Sequence, residues 1–378
     1  MPLAAIVASM PTDELIRPPR TEKELLDRGL REVTDRLPAG WTARAARQAA
    51  RDIGRADLIV DLAGPSGKRA TLVFEAKSVA YPRDLRGAIQ QLRRLSALGA
   101  PVFVAPFLGP QARSMLADED VGYIDLTGNL RITLSSPALF LSDRGADTNP
   151  WPERGQVRSL AGARAGRLVR ALCDVLPPYG VSDLAALTGL TAGYVSKVLA
   201  VLVREDLVER APRGPVVSVA WPRLLEAWAR DYGLLTSNVA RLFLAPRGVE
   251  DVVDKLRDLP AKTRSQIAIT GSPAAARVAP VAPTTKLCIY AEDALRLAER
   301  LGLVPADTVG NVFLLEPFDD VVFARTTDDA GIGYVAPSQA AVDCLTGPDR
   351  MPEEGRAVLA WMERNERAWR TSPSRRTR

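Results

Sequence analysis

Histidine is absent from the 378-residue chain. That excludes Ser-His and Cys-His triads, imidazole acid–base chemistry and histidine-ligated metals. Cysteine is scarce: Cys173, Cys288 and Cys344 lie far apart, each in an apolar run. This spacing makes neither a disulfide frame nor a zinc site and points to buried thiols in a reducing cytoplasm. No apolar run approaches the roughly 18–20 residues that span a bilayer, so no membrane partner is expected. The opening stretch MPLAAIVASMPTDELIRPP has no early basic region, and proline interrupts its short apolar run. Residues 1–20 read as a disordered arm rather than a signal peptide. Any enzyme built from this chain has to use carboxylates, Lys, Arg, Tyr or Ser, which still permits an oxygen-ligated magnesium ion.

Lysine is also scarce, at 7 against 43 arginines, within a net charge of +5 and a pI near 9.2. Arginine suits phosphate and base recognition through its planar fork. A GC-rich genome raises Arg, Ala and Pro as well, so composition alone does not choose between the two causes. The length allows two or three domains with sizeable cores, and 47% hydrophobic with 25% charged residues is ordinary for a globular protein.

The pattern predicts an α/β multidomain chain. Residues 21–142 read as an α/β domain. Its first helix, TEKELLDRGLREVTDRL, has Thr21 as cap and Glu24 in a capping box. A hairpin, Leu58–Leu62 with Thr71–Lys77, is followed by a helix ending at Gly99, the buried-type strand PVFVAPFL, a short helix and the strands of GYIDLTGNLRITL. Residues 143–156, rich in Pro, Gly and charge, read as a linker. Residues 157–221 read as a winged helix-turn-helix, and residues 222–362 as a second α/β domain. Residues 363–378 form a basic tail, expected to be flexible and able to touch phosphates.

In ADLIVDLAGPSGKRATLVFEAKSVA, two short strands flank a Gly-Pro-Ser-Gly turn. Chance places about a third of one Glu-x-Lys in a chain of this composition, and positions 75–77 carry the only match. Strand period puts Val73, Glu75 and Lys77 on one face, and Asp57 starts the preceding strand. Asp57 and Glu75 can hold a magnesium ion on a scissile phosphate, with Lys77 orienting the attacking water or offsetting the phosphodiester charge. Asp61 lies on the same strand face as Asp57 and is an alternative to it. The same residues also suit an ion-paired strand face in a domain that does not cleave.

The signal for DNA binding is stronger. SLAGARAGRLVRALCDVL puts Ala165, Leu168, Val169, Leu172 and Leu176 on one helical face. VSDLAALTG reads as a short helix capped by Ser182 and closed by Gly189. Thr191 caps the next helix, whose Val195, Val198, Leu199, Leu202 and Val203 dock on a core. Its other face offers Tyr194, Ser196, Lys197 and Arg204. LVERAPRGPVVSV follows as a wing with Arg213 at the tip. A recognition helix reads base edges with its N-terminal residues, so Thr191, Tyr194, Ser196, Lys197, Arg204 and Arg213 are the candidate DNA contacts. Tyr194 packing on the neighbouring helix, and a winged helix used for protein contacts, are the alternatives.

On the hairpin motif and its surroundings, residues 21–142 resemble the PD-(D/E)XK restriction-endonuclease-like superfamily. Asp57 stands at the motif aspartate, preceded by Ala56 rather than proline, and Glu75-Ala76-Lys77 stands at (D/E)xK. The resemblance implies Glu24 as an additional acid and Gln90 or Gln91 as a helical glutamine. VGYIDLTGNLRI, LVRALCDVLPPYGVSDLAALTGLTAGYVSKVL and AITGSPAAARVAPVAP resemble actinobacterial helix-turn-helix proteins described as transcriptional regulators. The third domain is similar to the C-terminal part of AbiEi-type antitoxins, which implies promoter binding, autoregulation and a cognate toxin. ITGS at Gly271-Ser272 resembles the turn of nucleotidyltransferases, but the next strand, KLCIYAED, lacks their pair of acids, so a scaffold without that catalysis is expected. The expectation is a cytoplasmic, sequence-specific binder of double-stranded DNA acting in transcription regulation. The alternatives are a magnesium-dependent DNA nuclease in repair or phage defence and an antitoxin. A homodimer would suit a winged-helix regulator, though no heptad run marks one.

Overall fold

Thr21 starts the first helix: its Oγ1 accepts the Glu24 backbone N–H at 3.1 Å, and α1 runs over Glu22–Arg36. In the computed structural model, residues 17–46, 56–151, 159–281 and 283–372 are described. They divide into two compact units, residues 1–156 with 204–206, and residues 157–203 with 207–378. Both are mixed α/β. The N-terminal arm up to residue 16, residues 152–156 of the expected linker and the following residues 157–158 lie outside the described residues.

The first unit continues with β1 (Thr42–Ala45), β2 (Leu58–Ala63), β3 (Arg69–Ala76), α2 (Pro82–Arg94), β4 (Ala100–Ala105), α3 (Pro110–Asp118), β5 (Gly122–Asp125), β6 (Leu130–Ser135) and β7 (Ala138–Asp143). The seven strands lie in chain order in one sheet. β3, β4 and β5 run parallel, because α2 and α3 make the crossovers, and the other pairs are antiparallel. Strand alternation then sorts the side chains. Phe74, Val102, Val104 and Ile124 face Leu25, Leu26 and Val33 of α1. Phe103 and Ala105 face Leu85, Ile89 and Leu92 of α2, where each fully buried leucine contributes roughly 1.5–3 kcal/mol. Glu75 is in register with Phe103, so it points towards the α2 side of the sheet.

The TGN turn between β5 and β6 is a buried polar knot. Asp125 Oδ1 accepts the Thr127 and Asn129 N–H groups at 2.8 and 3.0 Å, and Oδ2 accepts the Leu108 N–H and the Asn129 amide at 2.9 and 2.8 Å. Asn129 in turn accepts the Gly145 N–H at 2.9 Å and donates to Ala146 O at 2.9 Å, and Arg113 joins Asn129 to Asp147. The described start of the expected linker is therefore pinned to this unit instead of hanging free.

The second unit holds α4 (Ala163–Asp174), α5 (Val181–Thr188), α6 (Ala192–Arg204), β8 (Val208–Arg210), β9 (Val216–Val219), α7 (Trp221–Trp228), β10 (Val239–Leu244), α8 (Val249–Arg257), α9 (Ala261–Arg264), β11 (Ile267–Thr270), α10 (Ser272–Ala276), β12 (Leu287–Ala291), α11 (Ala294–Leu301), β13 (Val304–Pro305), β14 (Val312–Glu316), β15 (Thr327–Asp329), β16 (Ile332–Tyr334), α12 (Pro337–Leu345), α13 (Met351–Arg364) and α14 (Glu366–Trp369). β8 and β9 form a hairpin, and a mixed sheet runs β13-β10-β14-β12-β11-β16-β15. α8 and α11 cover one face of that sheet.

A boundary was expected between residues 221 and 222, and the fold has none there. One core joins Leu168, Leu172, Val198 and Leu202 to Trp228, Tyr290, Ala341 and Met362. Arg170, 1% exposed, crosses it with all five N–H donors used: Asp174 twice, Gln339 Oε1 at 2.8 Å, Val321 O and Ala324 O. The basic tail also starts later than expected. Residues 366–369 are helical, Trp369 is buried, and Arg370 donates to Val175 O at 2.9 Å, because the tryptophan has apolar surface to cover. Residues 373–378 lie outside the described residues. All three cysteines are free and buried, and burial pushes the Cys288 thiol up to about 12. Among the described residues no single helix is long and apolar enough to cross a membrane.

Candidate functional site

In the first unit, β2 and β3 bring together Asp57, Glu75 and Lys77. Leu58 is in register with Phe74, so Asp57, one residue earlier, falls beside Glu75. Asp57 Oδ2 accepts the Ala76 N–H at 2.8 Å. Glu75 is 1% exposed, with Oε1 held by Lys77 Nζ and Oε2 by the Gln91 amide of α2 at 2.9 Å. Burial raises the Glu75 carboxyl above the usual range and the charges of Asp57 and Glu22 add to this, against the pull of Lys77. Burial alone would lower Lys77, but its bond to Glu75 and the charges of Glu75, Asp57 and Glu22 hold its ammonium above the usual range.

One expectation is corrected here, and two alternatives left open by the sequence are resolved. Glu24 is not the additional acid: its carboxylate accepts the Arg20 N–H at 2.9 Å and sits by Arg17 and Arg28, which lowers its pKa. It also misses the capping-box geometry by one residue, since it takes Arg20 and not Thr21. Glu22, one helical position from the cap, is the acid whose charge bears on Glu75 and Lys77. Of the two glutamines, Gln91 is the one whose side-chain amide reaches Glu75. Asp61 pairs in register with Thr71, four residues along the strand, which puts it about 13 Å from Asp57. The signal for Glu22 and Gln91 was present as helix phase, and only the docking angle of each helix decides which neighbour faces the strand.

Among the described residues no group of three or more Asp, Glu, Cys or His converges to hold a metal ion. Asp57 and Glu75 alone supply hard oxygen donors of the kind magnesium takes, one or two carboxylates completed by water and phosphate oxygens. The donor set fits that ion and does not fit an all-protein cage.

In the second unit the chain bends by 115° between α5 and α6, across residues 189–191. Gly189 makes the bend with φ of +68°, a left-handed C-cap that glycine adopts without strain. Ser182 is not the cap of α5; Asp183 reaches back to the Gly180 N–H at 2.7 Å instead. Thr191 Oγ1 accepts the Tyr194 N–H at 3.3 Å and caps α6. Val195, Val198, Leu199 and Leu202 are buried, leaving Thr191, Ser196 and Lys197 exposed on the opposite face. Ala192 and Gly193 are exposed beside them, so backbone or base edges can approach closely. Arg213 is exposed at the hairpin tip, which Arg210 closes by donating to Gly214 O at 2.9 Å.

Two candidate contacts stand apart from this group. Arg204 is the last residue of α6, thirteen positions beyond Thr191 and about 20 Å along the axis. Tyr194 is half-buried against the helical core, and burial raises its phenol pKa while Arg164 opposes the shift. The residue that sequence reasoning missed is Arg164, exposed in the first turn of α4, whose guanidinium carbon lies 4.9 Å from the Tyr194 ring centroid.

The Gly271-Ser272 turn leads into α10, with Gly271 at φ +68° and the Ser272 hydroxyl donating to Glu354. On β12, Cys288 and Tyr290 are buried. A second buried carboxylate, Asp343 of α12, bonds Thr270 at the end of β11. It accepts from Tyr232, Tyr290, Thr270 and Gln339, and burial raises its pKa against those bonds. No protein-family model matches the chain, and no curated protein or solved structure matches it either.

Proposed function

We propose that the protein binds double-stranded DNA in a sequence-specific manner, as a transcriptional regulator docking through a winged helix-turn-helix made of α5, α6 and the β8–β9 hairpin. The observation that carries this reading is the exposed N-terminal face of α6, reached through a 115° bend and flanked by an arginine-tipped hairpin. Helix-turn-helix pairs cross at roughly 90–120°, and the second helix presents its N-terminal residues to base edges in the major groove. Thr191, Ser196 and Lys197 would face the groove, and Arg213 would reach the flanking backbone. Neither α4 nor α6 carries an acid in its first turn, so nothing there repels phosphate. The test is a fluorescence-anisotropy titration on promoter-region duplexes, comparing the parent with Lys197→Ala plus Arg213→Ala. A steep salt dependence that flattens by about two in log–log slope supports the reading, and an unchanged affinity in the double variant refutes it.

A second reading, a magnesium-dependent DNA nuclease at Asp57, Glu75 and Lys77, is favoured by the convergence of these residues with Gln91. When bound, magnesium would supply charge neutralisation at the scissile phosphate and a more acidic water. The chain's own part is to hold Glu75 by the Gln91 amide, keep Asp57 against β3, and offer the half-exposed Lys77 ammonium to a phosphodiester. Supercoiled plasmid incubated with Mg²⁺ or Mn²⁺ tests it. Nicking lost in both Glu75→Ala and Lys77→Ala is expected, and no nicking by the parent sinks it.

A further inference from the structure

We infer that Arg164, seated on the Tyr194 ring, is a phosphodiester-binding residue of the same surface, an inference that rests on the DNA-binding reading. Tyr194 was expected to read bases. Its ring instead leans on the helical core and carries the Arg164 guanidinium 4.9 Å from its centroid. A cation resting on a ring keeps its N–H donors, none of which is bonded to protein among the described residues, and a planar guanidinium can use two of them on phosphate oxygens. The ring fixes a side chain that would otherwise lose much rotamer freedom on binding, so the contact is preorganised.

Three further observations point to an anion there. Arg164 is exposed and has no carboxylate partner among the described residues. It lies in the first turn of a 12-residue helix whose N-cap, Gly162, makes no side-chain cap bond and whose first turn carries no acid, so the helix end adds no charge that repels an anion. And Tyr194 belongs to the first turn of α6, which puts the cation beside Thr191 and the bases that α6 would read. A DNA strand lining the groove is the anion that fits, with Arg164 setting the depth and register of α6 by gripping its backbone.

The experiment uses the full chain and a labelled mixed-sequence duplex of about 30 base pairs, roughly three helical turns, titrated across a range of salt. Arg164→Ala is expected to bind about tenfold more weakly at low salt and to reduce the log–log salt slope by about one. Tyr194→Leu removes the ring and should weaken binding in the same direction as Arg164→Ala, while adding it to Arg164→Ala should weaken binding little further. Far-ultraviolet circular dichroism matching the parent confirms that each variant is folded. Inorganic phosphate at matched ionic strength should not compete, and competition by it would make this a site for the free ion and overturn the inference. An unchanged slope in Arg164→Ala, or fully additive losses from Tyr194→Leu and Arg164→Ala, also overturns it while leaving the DNA reading intact. A parent that binds no duplex at any salt removes both.

Discussion

Asp57 accepts the backbone N–H of Ala76 through Oδ2 at 2.8 Å, and this bond closes the β2–β3 ladder with a carboxylate where a main-chain acceptor would otherwise stand. The bond explains why the aspartate is held beside Glu75 despite the repulsion between them. Asp57→Asn keeps an acceptor for that N–H and removes the charge, so the stability of the first unit should change by no more than about 0.5 kcal/mol. Asp57→Ala orphans the N–H and should cost about 1–3 kcal/mol. Urea denaturation of the two variants checks the difference; equal losses would mean that the bond contributes nothing.

The raised pKa of Glu75 makes a pH prediction. Burial, then the charge of Asp57, give the folded chain a stronger hold on that proton than the unfolded chain has. Its contribution to stability is therefore complete below the ordinary carboxylate range and is lost as pH rises through the raised native value. Lys77 is also raised, so its contribution persists through neutral pH and is lost only as pH climbs through its own native value. As pH rises from the ordinary carboxylate range through the raised native value, the parent should lose stability relative to Glu75→Gln, which has no proton to release. Urea midpoints measured across that window should converge at its acid end and part towards neutrality. Parallel curves would show that the shift is absent.

Arg170 ties α4 to α12 and to the backbone at Val321 and Ala324, and one core joins α4 and α6 to the later elements, so these parts of the second unit should unfold together. Arg170→Met leaves Asp174 buried without its cation, with only the Ser338 hydroxyl still on its side chain. Breaking a buried pair by removing one partner costs about 3–5 kcal/mol. Tryptophan fluorescence and far-ultraviolet dichroism should follow one transition for this unit, at a lower denaturant midpoint in the variant. Two separated transitions in the parent unit would argue that residues 157–221 fold alone.

Much of the local structure was legible because it depends on neighbours in sequence. The Thr21 and Thr191 caps, the Gly189 turn and the α6 stripe are set within one or two helical turns. The β2–β3 hairpin followed from its turn and its alternation. What failed to show was docking. Whether Glu22 or Glu24, or Gln90 or Gln91, meets Glu75 depends on the angle at which α1 and α2 lie on the sheet. A difference of one residue is about 100° of helix phase, and of two residues about 200°. Arg164 was hidden for the same reason, since its partner lies thirty residues away on another helix. The domain boundary at 221 was misjudged because Arg170 and Asp343 look like surface charges until long-range contacts bury them.

The polar turn at Asp125 bears the last prediction. Its carboxylate, 0% exposed, accepts from three backbone N–H groups, those of Leu108, Thr127 and Asn129, and from the side chains of Thr127 and Asn129. A buried acceptor shared by so many donors is costly to remove, because each orphaned donor carries its own desolvation penalty of about 1–3 kcal/mol. Asp125→Ala should therefore destabilise the first unit by more than about 3 kcal/mol. Asp125→Asn should do less, since one oxygen remains, but its amide would face donors and cannot satisfy them all. The knot also orients Asn129, whose Oδ1 holds the Gly145 N–H, so loosening it should free residues 144–151. Limited proteolysis should then cut the alanine variant within that stretch under conditions where the parent resists. Equal resistance in the two proteins would show that the segment is held by something other than this turn.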